Sequence, residues 1–200
     1  MIKNILFDFG DIFVNLRKEA TAQAFLELGL TEFTADLEEL NKAYEIGAIS
    51  ELDFLSGFET HLPQVDLLEI RQAWNTIIGD FPLPRLEFLQ MLKPHYRLFL
   101  LSNTDATHIS YFEHQVGLSF SRDFYNCFEK VYFSYELGLR KPDAICFQTV
   151  LARHDLQPKH TLFIDDKKEN TDAAAALGLS VWNLQVGLED ITQLLDKNIL

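Results

Sequence analysis

The chain has 200 residues, 48% of them hydrophobic and 17 of them Phe, enough for one globular unit or one unit with an insertion. Its 30 acidic residues against 17 basic ones give a formal net charge of -13, which argues against nucleic acid or an anionic membrane surface as the main partner. Cys127 and Cys146 are far apart, without metal-ligand spacing, and suit a reducing compartment. No apolar run approaches the roughly 18 residues of a membrane span. Met1-Ile2-Lys3 leads directly into the first strand, so the expectation is a cytoplasmic protein without a signal peptide.

Ile5-Leu6-Phe7 is an apolar run short enough for a buried strand, and it stops at the carboxylate of Asp8. Gly10 then allows a tight turn or a close ligand approach. From Leu16 to about Pro84 the pattern is helical. Glu19 to Leu28 predicts an amphipathic helix closed by Gly29. Leu37, Leu40 and Tyr44 mark a second helix, stopped by Gly47. Ser50 with Glu51 and Asp53 starts a third, and Leu67 to Ile78, carrying Trp74, gives a fourth. Pro82 and Pro84 mark the exit.

Helices and strands then alternate. Leu86 to Leu92 predicts a helix, and Leu98 to Leu101 a strand ending at Ser102-Asn103. A helix over Ala106 to His114 follows, then a strand from Lys130 to Phe133 that ends at Ser134. Pro142-Asp143 opens a helix over Ala144 to His154. Thr161 to Ile164 predicts a strand ending at Asp165-Asp166. Asn170 to Leu177 predicts a helix, Ser180 to Leu184 a strand, and Leu188 to Leu195 a last helix. This alternation implies an α/β fold: a Rossmann-like parallel sheet with helices on both faces. The core is expected at 1–15 and 85–200, with an inserted α-helical cap at 16–84.

In a parallel sheet the strand C-termini share one edge. Asp8, Ser102 and Asp165-Asp166 can therefore meet there, joined by Lys141 of Gly138-Leu139-Arg140-Lys141-Pro142-Asp143. Alone, each has an ordinary explanation: a loop acid, turn residues, a helix N-cap, a surface lysine. Together they offer carboxylates for a hard cation, a hydroxyl donor and a fixed ammonium.

The chain resembles the haloacid dehalogenase superfamily hydrolases, in the subgroup with a helical cap after the first strand. The four motifs are Asp8-Phe9-Gly10, Ser102-Asn103, Lys141-Pro142 and Asp165-Asp166, in order. Within the insert, Tyr44-Glu45-Ile46-Gly47 and Trp74-Asn75 are similar to the branch of phosphatases that act on small phosphorylated metabolites, sugar phosphates among them. The resemblance implies Asp8 as a nucleophile that forms an aspartyl-phosphate. It implies Mg²⁺ ligation by Asp8, the Gly10 carbonyl and Asp166, with Asp165 holding a metal-bound water or a direct position. Ser102 and the Asn103 backbone N–H would bind phosphoryl oxygens, and Lys141 would neutralise the charge shared by nucleophile and phosphate.

One departure stands out. Most phosphatases of that superfamily carry a second Asp, the general acid and base, two residues after the nucleophile. Here the position is Gly10, with Asp11 next in sequence. Asp11, a residue of the insert or a water on the metal are the candidates to replace it. Two alternatives stay open: a metal-independent 2-haloacid dehalogenase-type hydrolase, and a non-catalytic phosphometabolite-binding member. The dehalogenase alternative asks for an arginine in the insert, and residues 18–70 contain none.

Overall fold

A computed structural model describes all 200 residues. Five parallel strands form one sheet: β1 (Asn4–Phe7), β2 (Arg97–Ser102), β3 (Lys130–Phe133), β4 (Thr161–Asp165) and β5 (Ser180–Asn183), in the order β3-β2-β1-β4-β5. The chain builds outward from β1 to β3, returns to the other side of β1 at β4, and ends at β5. The change of direction between β1 and β4 leaves a crevice at their C-terminal ends.

Each central strand has an unbroken apolar interior because helices cover both faces, with polar residues only at its ends. Ile5 and Phe7 of β1 point into the larger core with Leu98, Leu100, Leu162 and Ile164. Leu6, between them, points to the opposite face, with Phe99, Leu101 and Phe163. The first face is covered by α5 (Leu83–Leu92), α6 (Ala106–Val116) and α7 (Leu118–Tyr125), the second by α9 (Ala144–Arg153) and α10 (Lys168–Ala176). The short α8 (Ser134–Leu137) follows β3 directly.

Between β1 and α5 lie four helices: α1 (Lys18–Leu28), α2 (Ala35–Glu45), α3 (Glu51–Ser56) and α4 (Leu67–Asn75). They surround an apolar cluster of their own, with Phe25, Phe54, Phe58 and Trp74 at its centre. The start predicted at Ser50 is a capping box, in which Ser50 and Asp53 each bond the other's backbone N–H. The two chain crossings that join these helices to the sheet run side by side. Arg17 N donates to Ile77 O at 2.8 Å, Asn15 N to Asp80 O at 2.9 Å, and Leu16 pairs antiparallel with Ile78.

The structure departs from the sequence expectations at four helices, one of them the short α8, which was not expected. The fourth helix ends at Asn75 rather than Ile78, because residues 77 and 78 belong to the crossing ribbon. Helix α7 was not expected: it is only eight residues long and follows α6 across Gly117, and its Phe124 is fully buried among the Phe side chains of the large core. The last helix is a 3₁₀ segment at Ile191–Lys197, capped by Asp190, and Leu188 is exposed.

Candidate active site

Asp8 follows β1, and its N–H is held by the Ile164 carbonyl of β4 at 2.9 Å. The sheet thus fixes this carboxylate at the crevice. Asp165 is the last residue of β4 and is fully buried. Lys141 Nζ lies 2.7 Å from Asp8 Oδ1 and 2.7 Å from Asp165 Oδ2, with 1% of its side chain exposed. Asp8, Asp165 and Asp166 each place a carboxylate oxygen within 4.8 Å of the others. The structure therefore brings together the predicted acids of the first and fourth motifs and the lysine of the third.

These side chains are held by backbone and amide groups. Asn103 clasps the main chain of Lys141 twice: its Nδ2 donates to Lys141 O at 2.8 Å, and Lys141 N donates to its Oδ1 at 2.9 Å. Asp165 Oδ1 accepts from Lys167 N at 2.8 Å, and Asn170 Nδ2 donates to both Asp165 oxygens, at 3.1 and 2.9 Å. Ser102 is buried at the end of β2. Below it, Ser134 Oγ donates to Thr104 O and accepts from Thr104 N, each at 2.9 Å, tying the ends of β2 and β3.

Gly10 and Asp11 exchange the roles their types suggest. Gly10 is not in the left-handed region, whereas Asp11 is, at φ 58°. A Cβ on Gly10 would sit 2.8 Å from Leu16 Cδ1. Asp11 lies beside the acid group rather than in it. Its Oδ1 accepts from Leu16 N at 2.9 Å and its Oδ2 from Lys18 Nζ at 2.8 Å. Lys18 in turn stands 3.8 Å from Asp166 Oδ2.

The electrostatics follow from burial. Removal from water pushes the Asp8 carboxyl up to about 7; Asp165 and Asp166 add to the rise and Lys141 opposes it. Burial, then the neighbouring Asp165, also raises Asp166. Burial disfavours the Lys141 ammonium, but Asp165 and Asp8 outweigh it and hold its pKa above the ordinary lysine range. The site is short of positive charge. Oxygen donors in a deficit of charge suit a hard cation such as Mg²⁺, so the donor set fits that ion.

Several contributors carried little or no sequence signal. Lys18 reaches the site only through the turn at Asp11. Asn103 was expected as a phosphate ligand through its backbone, and its side chain proves to be the brace of Lys141. Trp74 is buried between the helices of the insert and α6. Its Nε1 donates to Asp105 at 3.1 Å, and its ring stacks on His108 at 4.9 Å. Arg140 pairs with Glu45 of α2 at 2.9 Å, next to Lys141.

The family model described as hydrolase, haloacid dehalogenase-like hydrolase, matches residues 2–178. The chain is 31% identical over 198 residues to a D-ribitol-5-phosphate phosphatase of Bacteroides thetaiotaomicron, covering 94% of this chain and 95% of that protein. A HAD family enzyme of the same organism, solved in complex with magnesium and inorganic phosphate, superposes with a TM-score of 0.84 at 31% identity, over 97% of this chain and 99% of that one. A predicted HAD-like family hydrolase from Porphyromonas gingivalis has a TM-score of 0.81 at 29% identity, over 99% of this chain and 100% of that one.

Proposed function

Because the chain belongs to the haloacid dehalogenase-like hydrolase family, we propose that it hydrolyses phosphate monoesters of small metabolites, sugar or polyol phosphates foremost, with Mg²⁺ as cofactor. The observation that carries this is the group Asp8, Asp165 and Asp166 within 4.8 Å, with Lys141 bonded to two of them. Support for the substrate class comes from the similarity to a D-ribitol-5-phosphate phosphatase.

Asp8 is the nucleophile. Lys141 fixes its Oδ1, which leaves Oδ2 to attack phosphorus. A bond from Asp8 to phosphorus forms as the ester P–O bond breaks, and the electron pair leaves with the alcohol oxygen. Water then attacks the aspartyl-phosphate at phosphorus as the bond to Asp8 breaks; inorganic phosphate leaves with the water's oxygen, the carboxylate is restored, and the proton lost by water balances the one gained by the alcohol. Lys141 meets the charge shared by nucleophile and phosphoryl group. The Ser102 hydroxyl and the Asn103 N–H donate to phosphoryl oxygens from the end of β2. Asp8, the Gly10 carbonyl and Asp166 would hold Mg²⁺, and a cation there would supply positive charge for the phosphoryl oxygens; Asp165 orients Lys141. Asp11 serves by holding Lys18, since both its oxygens are engaged. The helices of 16–84 act as a cap over the core of 1–15 and 85–200, and shelter the aspartyl-phosphate from bulk water.

The test is hydrolysis of p-nitrophenyl phosphate and of a panel of sugar and polyol phosphates, with and without Mg²⁺. Mg²⁺-dependent release of phosphate, lost in Asp8→Asn, is the expected result. Turnover unchanged by chelation or by Asp8→Asn would contradict the proposal.

A further inference from the structure

Lys18 is the first residue of α1, where the chain enters the helical segment. Its ammonium is half in water, with 57% of the side chain exposed, yet it is directed at two shielded carboxylates: Asp11 at 2.8 Å and Asp166 at 3.8 Å.

The anchor is costly to build. Asp11 sits at φ 58°, a region that non-glycine residues seldom occupy. Strain of this kind is retained where the surroundings or the function use it. What the turn at Asp11 achieves is an aspartate whose two oxygens hold the backbone N–H of Leu16 and the ammonium of Lys18. An ion pair with one exposed partner adds little to stability. The ribbon of Leu16 with Ile78 then keeps the Lys18 backbone close to the sheet.

Charge supplies the reason. Around the crevice stand Asp8, Asp11, Asp165 and Asp166, with Lys141 and Lys18 as the ammonium groups paired to them and Lys167 acting on Asp166 without an ion pair. Lys141 is enclosed and bonded to two acids. Lys18 has three donors, of which Asp11 takes one. We propose that Lys18 is a phosphate-positioning residue, whose Asp11-anchored ammonium binds the substrate's phosphoryl group from the cap side of the crevice while Lys141 serves it from the core. The proposal rests on the phosphatase function above and adds to it a group that none of the four motifs contains. It also makes phosphate binding and placement of the first cap helix a single event.

Calorimetric titration of inorganic phosphate into the Mg²⁺-loaded protein tests this, beside titration of Mg²⁺ alone. Lys18→Met should bind phosphate about tenfold or more weakly, the loss of one hydrogen bond to a charged group. Lys18→Arg should restore most of that affinity. Mg²⁺ affinity without phosphate should stay the same or rise, because a competing cation is gone. With a phosphate ester, KM should rise in Lys18→Met more than kcat falls. Thermal melting checks that the variants are folded. Wild-type phosphate affinity in Lys18→Met would reduce Lys18 to a surface ion pair and overturn the proposal. Parallel loss of Mg²⁺ affinity would overturn it too, since the effect would then run through Asp166. If the wild-type protein with Mg²⁺ fails to bind phosphate at all, the phosphatase function falls and this proposal with it.

Discussion

Leu16 occupies the space that a side chain on Gly10 would need: a Cβ there would meet Leu16 Cδ1 at 2.8 Å and Cγ at 3.4 Å. The glycine is therefore explained by packing rather than by backbone freedom, because its φ is not positive. The place that holds an acid in similar phosphatases is filled here by a leucine from the first chain crossing.

A double-mutant cycle reads this contact. Gly10→Ala should destabilise by about 1 kcal/mol, the low end of overpacking, because the half-buried Leu16 side chain must swing aside. Leu16→Ala should also destabilise, by removing packing against the large core. In the double mutant the two costs should not add, because the truncated leucine leaves room for the new methyl. Urea denaturation of the four proteins measures the coupling. Strict additivity would mean that the two positions do not meet. The same contact governs Gly10→Asp: the acid should aid substrates with poor leaving groups more when Leu16 is also shortened than when it is not.

Asn103→Ala should leave the fold intact while lowering kcat by about 10²-fold, the scale of a displacement near 1 Å in a reacting group. Its amide makes both hydrogen bonds that fix the Lys141 main chain. Steady-state kinetics beside thermal melting separates the two effects. Unchanged kcat would show that the enclosure of Lys141 suffices to hold it.

The raised pKa of Asp8 gives the metal-free protein a pH-dependent weakness. The folded value near 7 lies above the ordinary 3.8, so the folded state binds this proton more tightly than the unfolded chain does. The resulting stabilisation is complete below about pH 4 and is lost as pH rises through 7. Without metal, Asp8→Asn should therefore melt above the wild type at pH 8, and the gap should close near pH 4. Melting curves in a chelating buffer measure it. A gap of the opposite sign at pH 8 would show that Lys141 outweighs burial.

Much of this was legible in the sequence, for a physical reason. β1, β2 and β4 are buried on both faces, so each is an unbroken apolar run, and the polar residue that ends it is conspicuous. Asp8, Ser102 and Asp165-Asp166 stood out in that way, and parallel topology placed them on one edge. Lys18 and Asn103 act through side-chain contacts that depend on turns. No spacing announces that the amide of Asn103 will meet the backbone of a residue 38 positions later. Helix α7 was missed although its apolar residues do fall on one side of a helix: at eight residues, directly after the preceding helix and Gly117, it is too short for that period to stand out. The C-terminal helix was misjudged because Leu188 and Leu195 imitate an apolar face that the structure leaves exposed.

Mg²⁺ should raise the melting temperature of the wild type, by an amount equivalent to about 2.7 kcal/mol when present at a hundred times its Kd. Asp166→Asn should abolish that increment and, in the absence of metal, melt no lower than wild type, since it removes one of three crowded carboxylates. Thermal scans across a Mg²⁺ series provide the comparison. A full Mg²⁺ response in Asp166→Asn would place the cation elsewhere.

The covalent step at Asp8 is the centre of the account, and rapid acid quench followed by mass spectrometry tests it most directly. Mg²⁺-loaded protein mixed with a phosphate ester and quenched within one turnover should gain the mass of a single phosphoryl group. Peptide mapping should place that group on the segment bearing Asp8, and it should be absent from Asp8→Asn. Release of phosphate at full rate by wild-type protein that never carries the added mass, or a phosphoryl group found on a segment without Asp8, would contradict the account.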